Sequence, residues 1–485
     1  MTAPADIDVV ELEVQVPAGD VINYNLRNLC SALGVLDPAC LAVETDGLTR
    51  ALITIYKEPP LANIPAARPE DLVMDADGYI TKGLYHDGRP ARERLYEPGS
   101  GAQRSAVFGT TGAGKSRALQ LRLAAEKRSG IVSWLADLKG GQSVPEAKGN
   151  VDWHVTTQEG SILMLLALVA VIEERTHRYE ALGRSYFAIN DPDPLLVGHI
   201  DEANRLLEKG APYRDLGAYL VKEVGRTGRS VGVGINIAAQ AGHIDELGGS
   251  DTLRAMLKEG SVTLLRWSSS MMQSLVSDGL LPPGTQLAPI PKRSGPPQLR
   301  SRFTPDEESE TAPGSTAGTA YILGSDRPTA PMRHFRVGSK TPVPGLDPEI
   351  LALYGPGEPP RLEEESHDAA GEAYAARPHI PAHLIAKLRG EDQGEASATP
   401  ATTAGLRMPV GAPPAKPSAP KLTAAARILR ALEDGPLQKQ DLIAKVNGDG
   451  GPELSAGSVS NVLTALGKKG HVTTSGGGIY ERITN

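Results

Sequence analysis

Gly109-Thr110-Thr111-Gly112-Ala113-Gly114-Lys115-Ser116 fits the pattern G-x-x-x-x-G-K-[ST] of a phosphate-binding loop. A short apolar segment, Ala106-Val107-Phe108, precedes it, and a helical pattern from Arg117 to Lys127 follows, with Ala118, Leu119, Leu121, Leu123, Ala124 and Ala125. Strand, glycine loop and helix, in that order, is the context such a loop needs. The glycines let backbone N–H groups turn inward around phosphates, and the helix N-terminus adds favourable partial charge. Lys115 then reaches the β- and γ-phosphates, and the Ser116 hydroxyl ligates Mg²⁺. A chance match in a glycine-rich chain is the competing explanation, and the flanking strand and helix weigh against it. ATP and Mg²⁺ are the expected ligands.

Downstream, strands and helices alternate as in a parallel-sheet α/β domain. Ile131-Val132-Ser133-Trp134-Leu135 reads as a strand ending at Asp137 and Lys139, and a buried helix is expected over about Ser161 to Leu182. Pro194 to Glu202 is an apolar strand, interrupted by Gly198 and His199, that ends in two acids. In a nucleotide hydrolase the first, Asp201, holds Mg²⁺ through water, and the second, Glu202, orients or deprotonates the attacking water. A buried strand that happens to end in solvated acids is the plainer alternative, and the upstream phosphate loop tips the balance against it. Val231 to Ala239 is a further strand ending at Gln240, a polar residue placed to sense the γ-phosphate. Before it, Gly225-Arg226-Thr227-Gly228-Arg229-Ser230 suits a mobile guanidinium donor, although an exposed basic turn explains Arg226 equally well. Ser261 to Arg266, Thr319 to Leu323 and His334 to Val337 complete the strands, with a Pro-, Ser- and Glu-rich insertion from Leu281 to Gly318.

Outside this core the chain divides by composition. Residues 1–76 form a small α+β module: an alternating strand from Val9 to Val16, a helix near Tyr24 to Leu33, and a hairpin turning at Asp46-Gly47. A second hairpin, Gly78 to Leu95 with Asp87-Gly88 at its tip, leads into the phosphate loop and opens a core domain spanning 77–341. Residues 342–421 read as a Pro- and Ala-rich linker, an extended tether that buries no core. Residues 422–485 fold again, with three helices and a terminal hairpin, the winged-helix plan. Its third helix leaves Ser458, Asn461 and Lys468 free for a DNA groove, and Lys469 and Arg482 near the phosphates; a winged helix used for protein contacts is the alternative. With a net charge of −8 the whole chain is no general nucleic-acid binder, so DNA contact must come from such local patches. Two cysteines without metal-ligand spacing suit a reducing compartment, and the start, Met1 to Asp6, lacks a signal peptide. Ile162 to Ile172 is too short to span a membrane. A cytoplasmic location is expected, with any membrane association peripheral.

The stretch from Asp77 to Val337 resembles the motor domain of the FtsK/SpoIIIE DNA translocases. The likeness lies in Gly109 to Ser116, Asp137-Leu138-Lys139, Glu174-Arg175-Thr176-His177-Arg178-Tyr179, Ile200-Asp201-Glu202-Ala203, Arg229 to Val233 and Ala238-Ala239-Gln240, in that order. The plasmid-transfer members of actinobacteria, the TraB type, are the nearer likeness. The resemblance implies a RecA-like fold, a homo-hexameric ring, and ATP-driven movement of double-stranded DNA in conjugative transfer or segregation, with a membrane-anchored partner. It implies Arg229 as an arginine acting on a neighbouring subunit and Gln240 as the sensor. Gln240 is followed by Ala241 where the family usually has arginine, and the acid-tipped strand carries the polar His199. Two other functions compete: a type VII secretion-like ATPase that moves protein, and a nucleotide-gated DNA-binding regulator. Secretion ATPases usually carry several motors and no winged helix.

Overall fold

The computed structural model describes residues 9–46, 48–240, 247–249, 251–267, 287–294, 314–324, 330–341, 343–377 and 379–391, and in the C-terminal part 424–433, 435–448, 459–460, 462–464, 466, 472–475 and 479–483. The chain divides into two compact units, Met1–Gly405 and Leu406–Asn485.

The first unit opens with β1 (Val9–Gln15), α1 (Leu26–Leu33), β2 (Leu41–Thr45) and β3 (Arg50–Tyr56), an antiparallel sheet in the order β1-β3-β2. The alternation in β1 predicts one buried face, yet Val10 and Leu12 stay exposed. Only Val14 of this edge strand reaches the small cluster that α1 forms over Cys30, Leu41 and Ile53.

The central sheet has ten strands. β4 (Tyr79–Tyr85) and β5 (Pro90–Arg94) make the hairpin read at Asp87-Gly88, and the short β6 (Tyr96–Glu97) and β7 (Gly101–Ala102) pair beside them. Then come β8 (Arg104–Gly109), α2 (Lys115–Arg128), β9 (Val132–Asp137), β10 (Trp153–Val155), α3 (Gln158–Ala181) and β11 (Leu196–Asp201). After the short α4 (Asn204–Leu207) follow α5 (Arg214–Thr227), β12 (Val233–Ala239), α6 (Asp251–Lys258), β13 (Ser261–Leu265), β14 (Thr319–Leu323) and β15 (Met332–His334). The order is β10-β9-β11-β12-β8-β13-β14-β15-β4-β5, parallel from β10 to β13 and antiparallel beyond. Every residue of β9, β11 and β12 is buried, because helices cover both faces of a parallel sheet and its strands read as apolar runs rather than alternations. Helix α3 starts where the Thr157 side chain accepts the Gly160 N–H, and its apolar first half lies in the core. No helix among the described residues is long and apolar enough to cross a membrane.

The tether expected from residue 342 does not begin there. Three helices follow the sheet, α7 (Pro348–Tyr354), α8 (Glu364–Ala375) and α9 (Ala382–Arg389), and all three pack on the main core. Tyr354 donates to Gln120 of α2, and Tyr374 donates to Asp152 while stacking among Trp134 and Trp153. Buried Arg175 of α3 pairs with Glu363 at 2.9 Å. These anchors are single aromatic and charged residues spaced among Pro and Gly, so no period announces them.

The second unit contains α10 (Ala424–Ala431), β16 (Leu437–Gln438), α11 (Lys439–Asn447), helical residues among 459–466, β17 (Val472–Ser475) and β18 (Ile479–Arg482). Its sheet runs β16-β18-β17, antiparallel, over a core of Ile428, Leu432, Leu442, Val446, Val459, Leu463, Leu466 and Val472. The strand β16, lying between the first two helices, adds a third strand to the hairpin expected from the sequence.

Candidate nucleotide site

The phosphate loop leaves β8 at Gly109 and enters α2 at Lys115. Gly114 is its N-cap with φ +109°, and a Cβ there would lie 2.8 Å from the Gly318 backbone nitrogen, so only glycine fits. The Gly318 N–H donates to Ala113 O at 2.8 Å and braces the loop from behind. Thr111 and Gly112 face solvent, and Thr110 and Ser116 are half-buried. Buried Lys115 folds back on its own loop, donating from Nζ to Gly109 O at 2.8 Å and standing 3.9 Å from Glu202 Oε1. Burial lowers its pKa against the pull of Glu202 and Asp201. An ammonium held by a carbonyl it can exchange is ready for a phosphate oxygen.

Three further strands bring their ends to this loop. Asp201 closes β11 in register with Asp137 at the end of β9. Asp137 is engaged by the Lys139 and Ser143 N–H groups at 3.0 and 2.9 Å, which turn the following loop. Asp201 is 1% exposed, and neither of its carboxylate oxygens has a hydrogen-bond partner. Burial raises its pKa to about 6, with Asp137 and Glu202 adding to the rise and Ser143 and Lys115 opposing it. A buried carboxylate with only the Ser143 hydroxyl as a nearby donor, in the field of the phosphate-loop Lys115, fits a divalent cation. Mg²⁺ is held mostly by phosphates and water, so it needs no cage of side chains. Accordingly, no group of three or more His, Cys, Asp or Glu among the described residues could hold a metal ion.

Glu202 has φ +53°, a left-handed backbone unusual for a residue with a Cβ. Its Oε1 meets Lys139 Nζ at 2.8 Å, and its Oε2 accepts from Gln240 Nε2 at 3.1 Å. Burial works to raise its pKa, yet Lys139, Lys115 and Gln240 together hold it below the usual carboxylate value. The strand ends thus gather Lys115, Asp201, Glu202 and Gln240, with Ser116 next to Lys115 in the chain. Lys139, visible in the sequence only as part of a motif, joins them as the partner of Glu202.

Arg229 is elsewhere. It lies before β12, in a short turn beside Gly101, where a Cβ on Gly101 would be 1.9 Å from Arg229 O. Its guanidinium pairs with Glu97 and donates from Nη2 to Ser100 Oγ at 2.5 Å. Strand β12 has seven residues, so about 23 Å of extended backbone separates Arg229 from Gln240. No arginine side chain covers that distance. The glycine-rich approach is no mobile loop either: Arg226 is in the last turn of α5 and pairs with Glu223, and a Cβ on Gly225 would strike Met256 Sδ at 1.9 Å. These glycines serve close packing. In the second unit, Arg482 pairs with Glu433. Ser458, Asn461, Lys468 and Lys469 lie outside the described residues.

Beneath the site runs a buried polar chain that sequence reasoning missed. Glu126 of α2 accepts from Arg122 Nε at 2.9 Å and Ser133 Oγ at 2.6 Å, and its Oε2 is 2.6 Å from His199 Nε2. Asn236 Nδ2 meets His199 Nδ1 at 3.1 Å, and Ser105 Oγ donates to Asn236 Oδ1 at 2.8 Å. Arg122 and Lys82 converge on Glu93 at 2.7 and 3.0 Å. His199, which looks in the sequence like a blemish in the acid-tipped strand, is therefore the link between that strand and α2.

No family model matches the chain. Over 278 residues it is 27% identical to the ESX secretion system protein EccC of Thermomonospora curvata, a match covering 47% of this chain and 20% of that protein. The chain thus spans about a fifth of the length of this curated relative. Among solved structures it is similar to the cytoplasmic domain of the Thermomonospora curvata type VII secretion ATPase EccC, at 20% identity and TM-score 0.41, covering 61% of this chain and 33% of that one. It is also similar to the pCW3 conjugation coupling protein TcpA in its monomer form with ATPγS, at 16% identity and TM-score 0.43, covering 67% and 85%.

Proposed function

We propose that the chain is an ATP hydrolase whose turnover drives movement of a polymer, and that the polymer is double-stranded DNA. One observation carries the hydrolase reading: Lys115, with Ser116 next to it in the chain, meets Asp201, Glu202 and Gln240 at the ends of neighbouring parallel strands, with Asp201 buried and poor in donors and Glu202 held by groups a γ-phosphate can take over. Ser116 and Asp201 would hold Mg²⁺, which would neutralise charge on the phosphate oxygens. Lys115 leaves Gly109 O for the same phosphates, and the loop N–H groups of Gly109 to Gly114 cradle them. Glu202, freed from Lys139, takes the proton as water attacks the γ-phosphorus and the bond to ADP breaks. Gln240 bridges the γ-phosphate position and Glu202, so loss of phosphate reaches β12 directly. Arg229 serves a neighbouring subunit, since its own loop is out of reach, and a head-to-tail interface of that kind closes into a ring; a homo-hexamer is our reading.

Support for DNA as cargo comes from the ordered motif set shared with FtsK/SpoIIIE motors and from the second unit, whose helices and three-stranded sheet suit a winged helix. In this reading the C-terminal unit (422–485) reads DNA through Ser458 and Asn461 and grips phosphates through Lys468 and Lys469; Arg482, tied to Glu433, must exchange partners to join them. Conjugative transfer through a TraB-like mechanism, with a membrane-anchored partner, is the cellular role we favour. The identity with EccC, whose name places it in an ESX secretion system, favours protein as the second reading of the cargo. DNA-stimulated ATPase activity together with displacement of a triplex-forming strand tests the proposal. ATP turnover unaffected by DNA, with no displacement, refutes the DNA motor and leaves the hydrolase.

A further inference from the structure

Strand β13 flanks β8 on the side away from the acids, with Leu265 in register with Gly109. The next residue, Arg266, has φ +46°. Among the described residues only three without a glycine side chain have positive φ, and two of them, Glu202 and Arg266, border the phosphate loop. Such backbone is strained for a residue with a Cβ and persists only where the surroundings hold it in place.

The surroundings of Arg266 are specific. Nε donates to Thr316 Oγ1 at 3.2 Å and Nη2 to Ser315 Oγ at 2.8 Å. Nη1 is left toward the loop, 3.8 Å from where a Cβ on Gly112 would sit. The Ser315–Gly318 turn that holds the guanidinium also braces the loop through Gly318, and Arg333 staples that turn through Ser315 O and Ala317 O. Arg266 has no carboxylate partner among the described residues; its only charged neighbour of consequence is Arg333, another cation. Two guanidiniums near each other, part-buried and without an acid among the described residues, leave a positive field facing a loop suited to anions.

Which part of a nucleotide meets this field follows from the sheet. Strand β11, carrying Asp201 and Glu202, lies three strand spacings from β13, about 14 Å. A triphosphate with its γ end at Glu202 and Gln240 therefore extends its non-transferred phosphates toward β13. We propose that Arg266 is a nucleotide-binding residue acting within its own subunit, donating to the α- or β-phosphate of a nucleoside di- or triphosphate. This rests on the nucleotide reading above. Contact with phosphates that do not react is already made in the ground state and is kept in the transition state, so its main effect is on affinity rather than on the chemical step.

The test uses the full chain and fluorescent mant-ADP and mant-ATPγS titrations beside steady-state ATPase assays. Arg266→Ala should weaken both nucleotides by the same factor, about 10- to 100-fold for a lost charge-assisted hydrogen bond, and raise KM correspondingly, with kcat falling less than about threefold. Arg266→Lys should recover part of the affinity, since it keeps the charge and loses the fork. A purely structural arginine would instead lower the fraction of active sites or the melting temperature without moving affinity. Weakening of mant-ATPγS alone, a fall in kcat at unchanged affinity, or unchanged affinity for both nucleotides overturns the assignment. Should Arg266→Ala fail to fold, Arg266→Lys and Arg266→Gln carry the same comparison. A wild-type chain that binds neither nucleotide overturns the hydrolase reading itself, which the other outcomes leave standing.

Discussion

Replacing Glu126 by Gln keeps the shape of a fully buried side chain and removes its charge. In the wild type its two oxygens satisfy Arg122, Ser133 and His199 at once, joining α2, which begins with Lys115 and Ser116, to β11, which ends in Asp201. Breaking a buried ion pair from one side costs about 3–5 kcal/mol. The low end applies here, because Arg122 keeps Glu93 at 2.7 Å and a glutamine oxygen can still accept from it. With about 2.1 cal/mol/K of unfolding entropy per residue, a unit of 405 residues has a slope near 0.85 kcal/mol/K, so a loss of about 3 kcal/mol lowers Tm by about 3–4 °C. Tryptophan fluorescence reads this cleanly: Trp134, Trp153 and Trp267, the chain's three tryptophans, are all buried in that unit. The pH dependence has a definite sign. Burial raises the Glu126 pKa, but His199, Arg122 and Ser133 outweigh it and bring it below the usual value. Its stabilisation is thus present above the ordinary glutamate pKa, about 4.3, and is lost as pH falls through the lower folded value, so the gap between wild type and variant should close in acid. A variant that melts within about 1 °C of wild type at neutral pH, or a gap that widens in acid, refutes the account.

Lys115→Ala should abolish nucleotide binding, measured by mant-ATPγS titration, whereas Glu202→Gln should bind ATP and hydrolyse it on the order of 10²–10⁴ times more slowly; equal loss of binding in both removes Glu202 from the chemistry. Arg229→Ala should cut turnover by about 10³-fold or more at nearly unchanged affinity, and mixing it with Lys115→Ala chains should restore activity, because each chain supplies what the other lacks; no restoration at any ratio ties Arg229 to its Glu97 pair alone. Removing residues 422–485 should leave a DNA-stimulated ATPase that has lost sequence preference. In the intact chain Asn461→Ala should flatten that preference by about 1–3 kcal/mol at one base pair, while Lys469→Ala weakens binding to all DNA and lowers the salt slope by about one unit; selection of random DNA fragments by the full chain and by each variant measures this.

The parts legible in the sequence share a property: their physics is local. Gly109 to Ser116 declares itself because a loop that wraps phosphate needs glycines at fixed offsets, and Asp201-Glu202 because an apolar run must end before two acids. The parts that escaped depend on groups far apart in the chain. Arg266 is a polar end to an ordinary strand until Ser315 and Thr316, some fifty residues on, hold it against Gly112. His199 reads as a flaw in β11 until Glu126 and Asn236 flank it, since a buried polar group is tolerated only when partners on other elements satisfy it. The helices after residue 348 escaped for the same reason: Tyr354 and Tyr374 dock by hydroxyls onto Gln120 and Asp152, contacts with no periodic trace. Arg229 marks the boundary between the two kinds. Its motif is local and readable, but only the length of β12 shows how far it stands from the phosphate loop of its own chain.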